Sequence, residues 1–351
     1  MTFGVGHRAL SSEWRSEFQA KALLLAAAGS NEATVPAVAP AARIVRRLPL
    51  KTGATSVAWS PDGKLLAALG GLKQHLTVWN ALTGKVVWEA ANEFGGDGTA
   101  LAFSADGRLL LAPAVKTSAA NQNTALVLWD VGQGTIAGQI AGPSPSGGWA
   151  ENFARRMTID RGHDLMAVVT SGLGAPVGIY DMRDWGLVGA IFLPKEQPVA
   201  AAFGPDGTLA IGFIGRTICL FDPRTRLLKR KIDVPAGIDS LAYSPDGKYI
   251  ASGHGGRSAA AIRIWSATDG ALVRSYPGGL SVVSGLAWSP DGRLIASAAF
   301  DRTVRLWPAH DAGAGQVIAT FYEAAWAVAF SPDGRFVAAA GNEGVIVAEI
   351  Y

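Results

Sequence analysis

One short pattern recurs along most of this chain: an aromatic residue, two small residues of which the second is usually Pro, then Asp-Gly. The copies are WSPDG at Trp59, FSADG at Phe103, FGPDG at Phe203, YSPDG at Tyr243, WSPDG at Trp288 and FSPDG at Phe330. A weaker seventh, Ile159-Asp160-Arg161-Gly162, stands between the second and third. The closing glycines, at 63, 107, 162, 207, 247, 292 and 334, are 40 to 55 residues apart. A unit of that size cannot bury a hydrophobic face alone, so a repeat with this period folds by stacking its copies. The length of 351 residues would otherwise suggest two or three domains. The repeat instead argues for one closed body over residues 42–351, preceded by a tail, 1–41.

The residues from Ser281 to Phe321 show how a unit is built. Leu286-Ala287-Trp288 reads as a strand, and Pro290-Asp291-Gly292 as a turn, because Pro presets φ and Gly accepts the positive φ that closes it. Leu294 to Ala298 is a second strand, Val304 to Trp307 a third with alternating apolar residues, and Val317 to Phe321 a fourth. Four short antiparallel strands with largely apolar faces make the blade of a propeller. The third strand ends alike in each unit: LTVWN at Trp79, LVLWD at Trp129, VGIYD at Tyr180, ICLFD at Phe221, IRIWS at Trp265, VRLWP at Trp307 and VIVAE at Ala348.

Two motifs repeating in step seven times make the chain resemble the WD-repeat family of β-propellers. The expected fold is all-β: a seven-bladed β-propeller of four-stranded antiparallel blades. The last unit runs out after its third strand, at Val345 to Ile350, while Arg43 to Leu48 precedes the first unit as a spare strand. Pairing the two would close the ring and remove exposed edges. The resemblance also implies a buried polar network between an aspartate in the second turn and a Gly-His pair. Here that aspartate survives as Asp301 and gives way to Lys73, Asn123, Gly215 and Asn342 elsewhere. His254-Gly255 falls in a different loop, so most of the network is expected to be missing, with apolar packing and the SPDG turns holding the blades.

Composition excludes several functions. A net charge of +3, from 31 Lys and Arg against 28 Asp and Glu, leaves no strong field for nucleic acid. No apolar run reaches the eighteen residues of a membrane span. The five histidines show no metal-site spacing, and there is neither a haem-attachment motif nor a nucleophile elbow. No cofactor is expected. The one cysteine, Cys219, sits in an apolar run and reads as a buried structural thiol. Arg224 to Lys231 reads as a solvated outer rim. In the tail, Ser12 to Ala28 fits either an amphipathic helix or, through Ala22 to Ala28, a signal-like core. Glu13 and Glu17 before that core favour a cytoplasmic protein, with export as the alternative.

The resemblance implies partner binding at one mouth of the central channel, through residues four and six before the strand-ending aromatic and one before the second-turn aspartate. Carried onto this sequence, those positions include Asp97, Gln122, Phe153, Arg155, Gln197, Asp239, Phe300 and Trp326. Exposed aromatics beside an arginine are what binding hot spots are made of. Phe300 and Trp326 also suit a second role, as packing that plugs the channel. The reading is a non-catalytic scaffold for a protein or peptide, monomeric by itself. The alternative is an enzymatic or ligand-binding propeller, with Asp97 and Asp239 offered to a hard cation.

Overall fold

The computed structural model describes residues 41–351 apart from 51, 71–74, 92–99, 114–123, 143–153, 161, 171–173, 256–257, 259, 278–280 and 312. These residues form 28 strands and no helix, so none is long and apolar enough to cross a membrane. The strand β1 (Ala42–Pro49) comes first. Blade 1 follows as β2 (Ser56–Trp59), β3 (Leu65–Gly70), β4 (His75–Asn80) and β5 (Val86–Ala91). Blade 2 is β6 (Ala102–Phe103), β7 (Leu109–Pro113), β8 (Thr124–Asp130) and β9 (Thr135–Ala141). Blade 3 is β10 (Ala154–Asp160), β11 (Leu165–Thr170), β12 (Val177–Asp181) and β13 (Leu187–Ile191). Blade 4 is β14 (Pro198–Phe203), β15 (Leu209–Phe213), β16 (Thr217–Phe221) and β17 (Leu228–Asp233). Blade 5 is β18 (Ile238–Tyr243), β19 (Tyr249–His254), β20 (Ala260–Ser266) and β21 (Leu272–Pro277). Blade 6 is β22 (Val283–Trp288), β23 (Leu294–Ala299), β24 (Thr303–Pro308) and β25 (Gln316–Thr320). Blade 7 is β26 (Ala325–Phe330), β27 (Phe336–Gly341) and β28 (Gly344–Ile350), completed by β1.

Each sheet is antiparallel and ordered as the chain runs, except the last, where β1 lies outside β28. Their register pairs Ala42 with Ile350 and Pro49 with Gly344, with Arg43 bridging Glu349 at 3.0 Å. The first strands of the blades pack against one another around the ring axis. The fourth strands alternate exposed and half-buried residues on the rim, as β5 and β17 do. Between blades lie aliphatic and aromatic layers such as Leu76, Val78, Phe103, Leu110 and Trp129. Cys219 is part of one such layer, and burial pushes its thiol up to about 11.

The repeated turns explain why the pattern needs Ser, Asp and Gly together. At the first, Ser60 Oγ donates to Asp62 Oδ1 at 2.7 Å and accepts from the Leu65 N–H at 2.8 Å, while Asp62 Oδ1 accepts from the Lys64 N–H at 3.1 Å. Gly63 closes the turn at φ 71°. The same bonds recur around Ser104, Ser244, Ser289 and Ser331. Blade 4 has Gly204 in place of the serine, and Thr208 supplies the hydroxyl to Asp206 at 2.8 Å. In the weak copy, Asp160 accepts from the Gly162 N–H at 3.0 Å and pairs with His163 at 2.7 Å.

The polar network is fuller than the sequence suggests. His254 is not in a loop: it ends β19 and is fully buried. Its Nδ1 lies 2.8 Å from the Gly237 carbonyl, and its Nε2 lies 2.8 Å from Ser252 Oγ, which also accepts from Trp265 Nε1 at 2.8 Å. In blade 6 Trp307 Nε1 donates to Ser297 at 2.8 Å. These bonds run within a blade, from a third-strand tryptophan to a second-strand serine, and do not depend on the Gly-His pair. On the rim, arginines of the basic stretch cross blade borders to carbonyl oxygens: Arg226 to Val188 and Arg230 to Asp269, both at 3.2 Å. Those guanidiniums have structural partners, beyond the solvation expected of them.

Candidate partner-binding face

Five inner strands share an irregularity at one position. The register slips between Ala154 and Arg156, Pro198 and Ala200, Ile238 and Ser240, Val283 and Gly285, and Ala325 and Ala327. The bulged residues are therefore Arg155, Val199, Asp239, Ser284 and Trp326, the last four each four before the aromatic that ends the strand and Arg155 four before Ile159. A bulge inserts one residue opposite the partner strand and re-aims its side chain. The described loops that enter the inner strands lie at this end of the blades together with the described turns between second and third strands, so one face collects them.

On that face two aromatics meet where blades 6 and 7 adjoin. The Phe300 ring meets Trp326 edge to face, with centroids 4.7 Å apart and planes at 68°. Such pairs add to the stabilisation from burial. Trp326 Nε1 donates to Asn342 Oδ1 at 2.7 Å, and Asn342 Nδ2 donates in turn to Glu323. The neighbouring Tyr322 N–H donates to Glu343. Trp326 is half-buried, while Phe300 keeps 41% of its surface and Tyr322 83%. The tryptophan is thus fixed through its indole nitrogen, with an open aromatic edge beside it.

The other expected residues are spread further. Asp239 is half-buried beside Gly255, where a Cβ would sit 2.9 Å from its carboxylate. Gln197 is half-buried, and its carbonyl accepts from the Ile214 N–H at 3.0 Å. Arg155 occupies the bulge of β10. Asp97, Gln122 and Phe153 lie outside the described residues. Among the described side chains of the eight, Phe300 and Trp326 are in ring contact.

Sequence reasoning noted the doublet Arg155-Arg156 but gave Arg156 no role. Its guanidinium donates to the Ser284 carbonyl at 2.7 Å, from the inner strand of blade 3 to that of blade 6. Those blades are not neighbours, so the contact spans the ring axis. Ser284 itself ties blade 6 to blade 7, its hydroxyl donating to Ala325 O at 2.7 Å. The doublet Arg155-Arg156 was visible at the start of β10, but only the register distinguishes the residue at the bulge from the residue that crosses. Tyr322 and Glu323 were missed as well, since an exposed loop carries no periodic signal, while Asn342 was located by the repeat as the residue in place of the second-turn aspartate but given no role at this face.

Among the described residues no group of three or more His, Cys, Asp or Glu side chains is placed to hold a metal ion. A cavity of about 380 Å³ lies on the opposite face, between the SPDG turns of blades 1 and 7, lined by Trp59, Asp62, Asp333 and Phe336.

A closed ring of seven four-stranded blades, with bulged inner strands converging on one face, defines a seven-bladed β-propeller. Residues 45–80, 229–266, 270–308 and 315–347 match the family model of the WD domain, G-beta repeat. The chain is a WD-repeat β-propeller. Each matched stretch begins in or just before the outermost strand of one blade and ends in the third strand of the next. The sequence repeat therefore straddles a blade border, and every copy stitches two neighbours together. Propellers of this family commonly mediate protein interactions and are typically non-catalytic.

Proposed function

We propose that this propeller is a non-catalytic platform that holds a protein or peptide on the face formed by the bulged ends of its inner strands. The observation that carries the reading is the Phe300–Trp326 pair, with an open ring edge and an indole anchored on Asn342. An aromatic that is already immobilised loses little conformational entropy on binding, so contacts made there convert into affinity. Arg155, Asp239 and Gln197 would supply the polar surround, along with Asp97 and Gln122, and Phe153 would add a further aromatic. The ring beneath is stiff, because its inner strands are tied across blade borders by Ser240 to Val283 O at 2.7 Å and by Ser284 to Ala325 O at 2.7 Å.

The test is capture of partners from native lysate by the intact chain beside a variant carrying Phe153→Ala, Phe300→Ala and Trp326→Ala. A partner kept by the first and lost by the second supports both the role and the face. Equal capture by both would move the interface elsewhere. Empty capture by both would favour the ligand-binding or enzymatic alternative, for which metal content of the purified protein is the first measurement.

A further inference from the structure

Blades 5 and 6 are nearly identical at one set of positions. The pairing of Tyr243 with Ile250 and of Trp288 with Ile295 puts the two blades in the same register. Ser252 then corresponds to Ser297, Arg263 to Arg305, Trp265 to Trp307 and His254 to Ala299. Only the last differs in kind. In blade 5 the buried imidazole faces a carbonyl through Nδ1, which must carry the proton, so Nε2 is an acceptor and Ser252 donates to it. Burial holds His254 neutral, its pKa pushed down to about 4.

Blade 6 keeps the donor and lacks the ring. Ser297 is 3% exposed and accepts from Trp307, and its own proton has no acceptor among the described residues. A cavity of about 310 Å³ opens there, lined by Ser297, Ala299, Asp301, Arg305, Trp307 and residues of the blade 5 border. Two other blades fill the corresponding place with a ring. Blade 4 has the buried Phe213, and in blade 7 Phe321 packs on Gly341, where a Cβ would lie 2.5 Å from it. The corresponding place thus takes a planar ring in three blades, and in blade 6 the cavity there is lined by the apolar Ala261, Pro277, Val283 and Ala299 and by the polar Ser297, Asp301 and Arg305, the last two paired at 3.8 Å.

We propose that this cavity between blades 5 and 6 is a binding site for a neutral imidazole-type ring, whose acceptor nitrogen takes the Ser297 hydroxyl and whose N–H faces Asp301. The site is separate from the aromatic pair proposed for partner binding, and stands whether or not that reading holds. The ring can come from a free heterocycle or from a histidine side chain of a partner.

The test is a titration of the full-length protein with imidazole at pH 8, followed by the ¹⁵N-indole resonance of Trp307, assigned with Trp307→Phe. The expected result is a saturable shift that disappears in Ala299→His, which supplies the ring internally, and weakens at least tenfold in Ser297→Ala. No saturable shift in the wild type, or an unchanged titration in either folded variant, overturns the proposal. Should Ala299→His not fold, Ser297→Ala decides alone. A Gly-His-Gly peptide run in parallel separates the sources: binding tighter than imidazole assigns the site to a partner's histidine, and binding of imidazole alone to a free heterocycle.

Discussion

Single side chains explain why the repeated turn tolerates so little change. The Ser60 hydroxyl, helped by the Lys64 N–H and opposed by partial burial, holds the Asp62 carboxyl below its usual range. The same hydroxyl satisfies the Leu65 N–H at the start of β3. Ser60→Ala leaves that N–H and one carboxylate lone pair without their partner, a loss of about 1–2 kcal/mol, to be read from the urea midpoint. His254 makes stability depend on pH. Its native pKa is about 4, against an unfolded value of about 6.5. The unfolded chain therefore takes up a proton that the native one refuses. The contribution is complete above pH 6.5 and drains away as pH falls toward 4, by on the order of 3 kcal/mol in all. His254→Gln is expected to be less stable at pH 7 and to show a much flatter profile between pH 6.5 and 4. An equally steep profile would remove His254 as its source.

At the scale of the strand pair, the third-strand tryptophans show what the second strand must provide. Trp265 and Trp307 donate to serines at the third-from-last position of β19 and β23. Trp129 is buried to the same degree, but its indole N–H has no hydrogen-bond partner among the described residues. The matching residue of β7 is Ala112, set by the pairing of Leu110 with Trp129. Ala112→Ser restores the missing acceptor in a site already occupied by a small residue. The expected gain is about 1 kcal/mol, seen as a higher thermal midpoint; destabilisation would mean that β7 cannot seat the hydroxyl. The outer strands follow another logic: their arginines lie along the rim and fasten neighbouring blades by backbone carbonyls, as Arg274 does to Ala309 at 3.2 Å.

For the whole ring, the seam between β1 and β28 decides whether seven blades close. Gly344 sits there at φ 119°, and a Cβ would collide with the Leu48 carbonyl and the Leu50 nitrogen, both backbone atoms. Gly344→Val combines a forbidden backbone conformation with loss of the seam, and is expected to cost about 3 kcal/mol or more. Gly63 offers the control. Its φ of 71° is also positive, but a Cβ there meets only Pro332 Cδ at 3.6 Å. Gly63→Ala should cost about 1–2 kcal/mol and leave the ring closed. Limited proteolysis between β1 and β2 distinguishes the two, with fast cleavage expected only for Gly344→Val. Equal protection of both variants would show that the seam does not control closure.

The sequence by itself determined the number of blades, their strand order and the closing strand, because each rests on short-range chemistry. A serine, an aspartate and a glycine within five residues build the same turn wherever they occur, and alternating apolar residues mark the strands between. The family resemblance, rather than any local signal, marked the positions that turned out to be bulged. What only the tertiary structure decided depends on residues far apart in the chain. Phe300 meets Trp326 across a blade border, Arg156 reaches Ser284 across 128 positions, and His254 takes its partners from Gly237 and Ser252. Such contacts are set by how seven blades meet around an axis. A motif describes one blade and its nearest neighbour, so neither the anchored tryptophan nor the open socket beside Ala299 could be read before the ring was assembled.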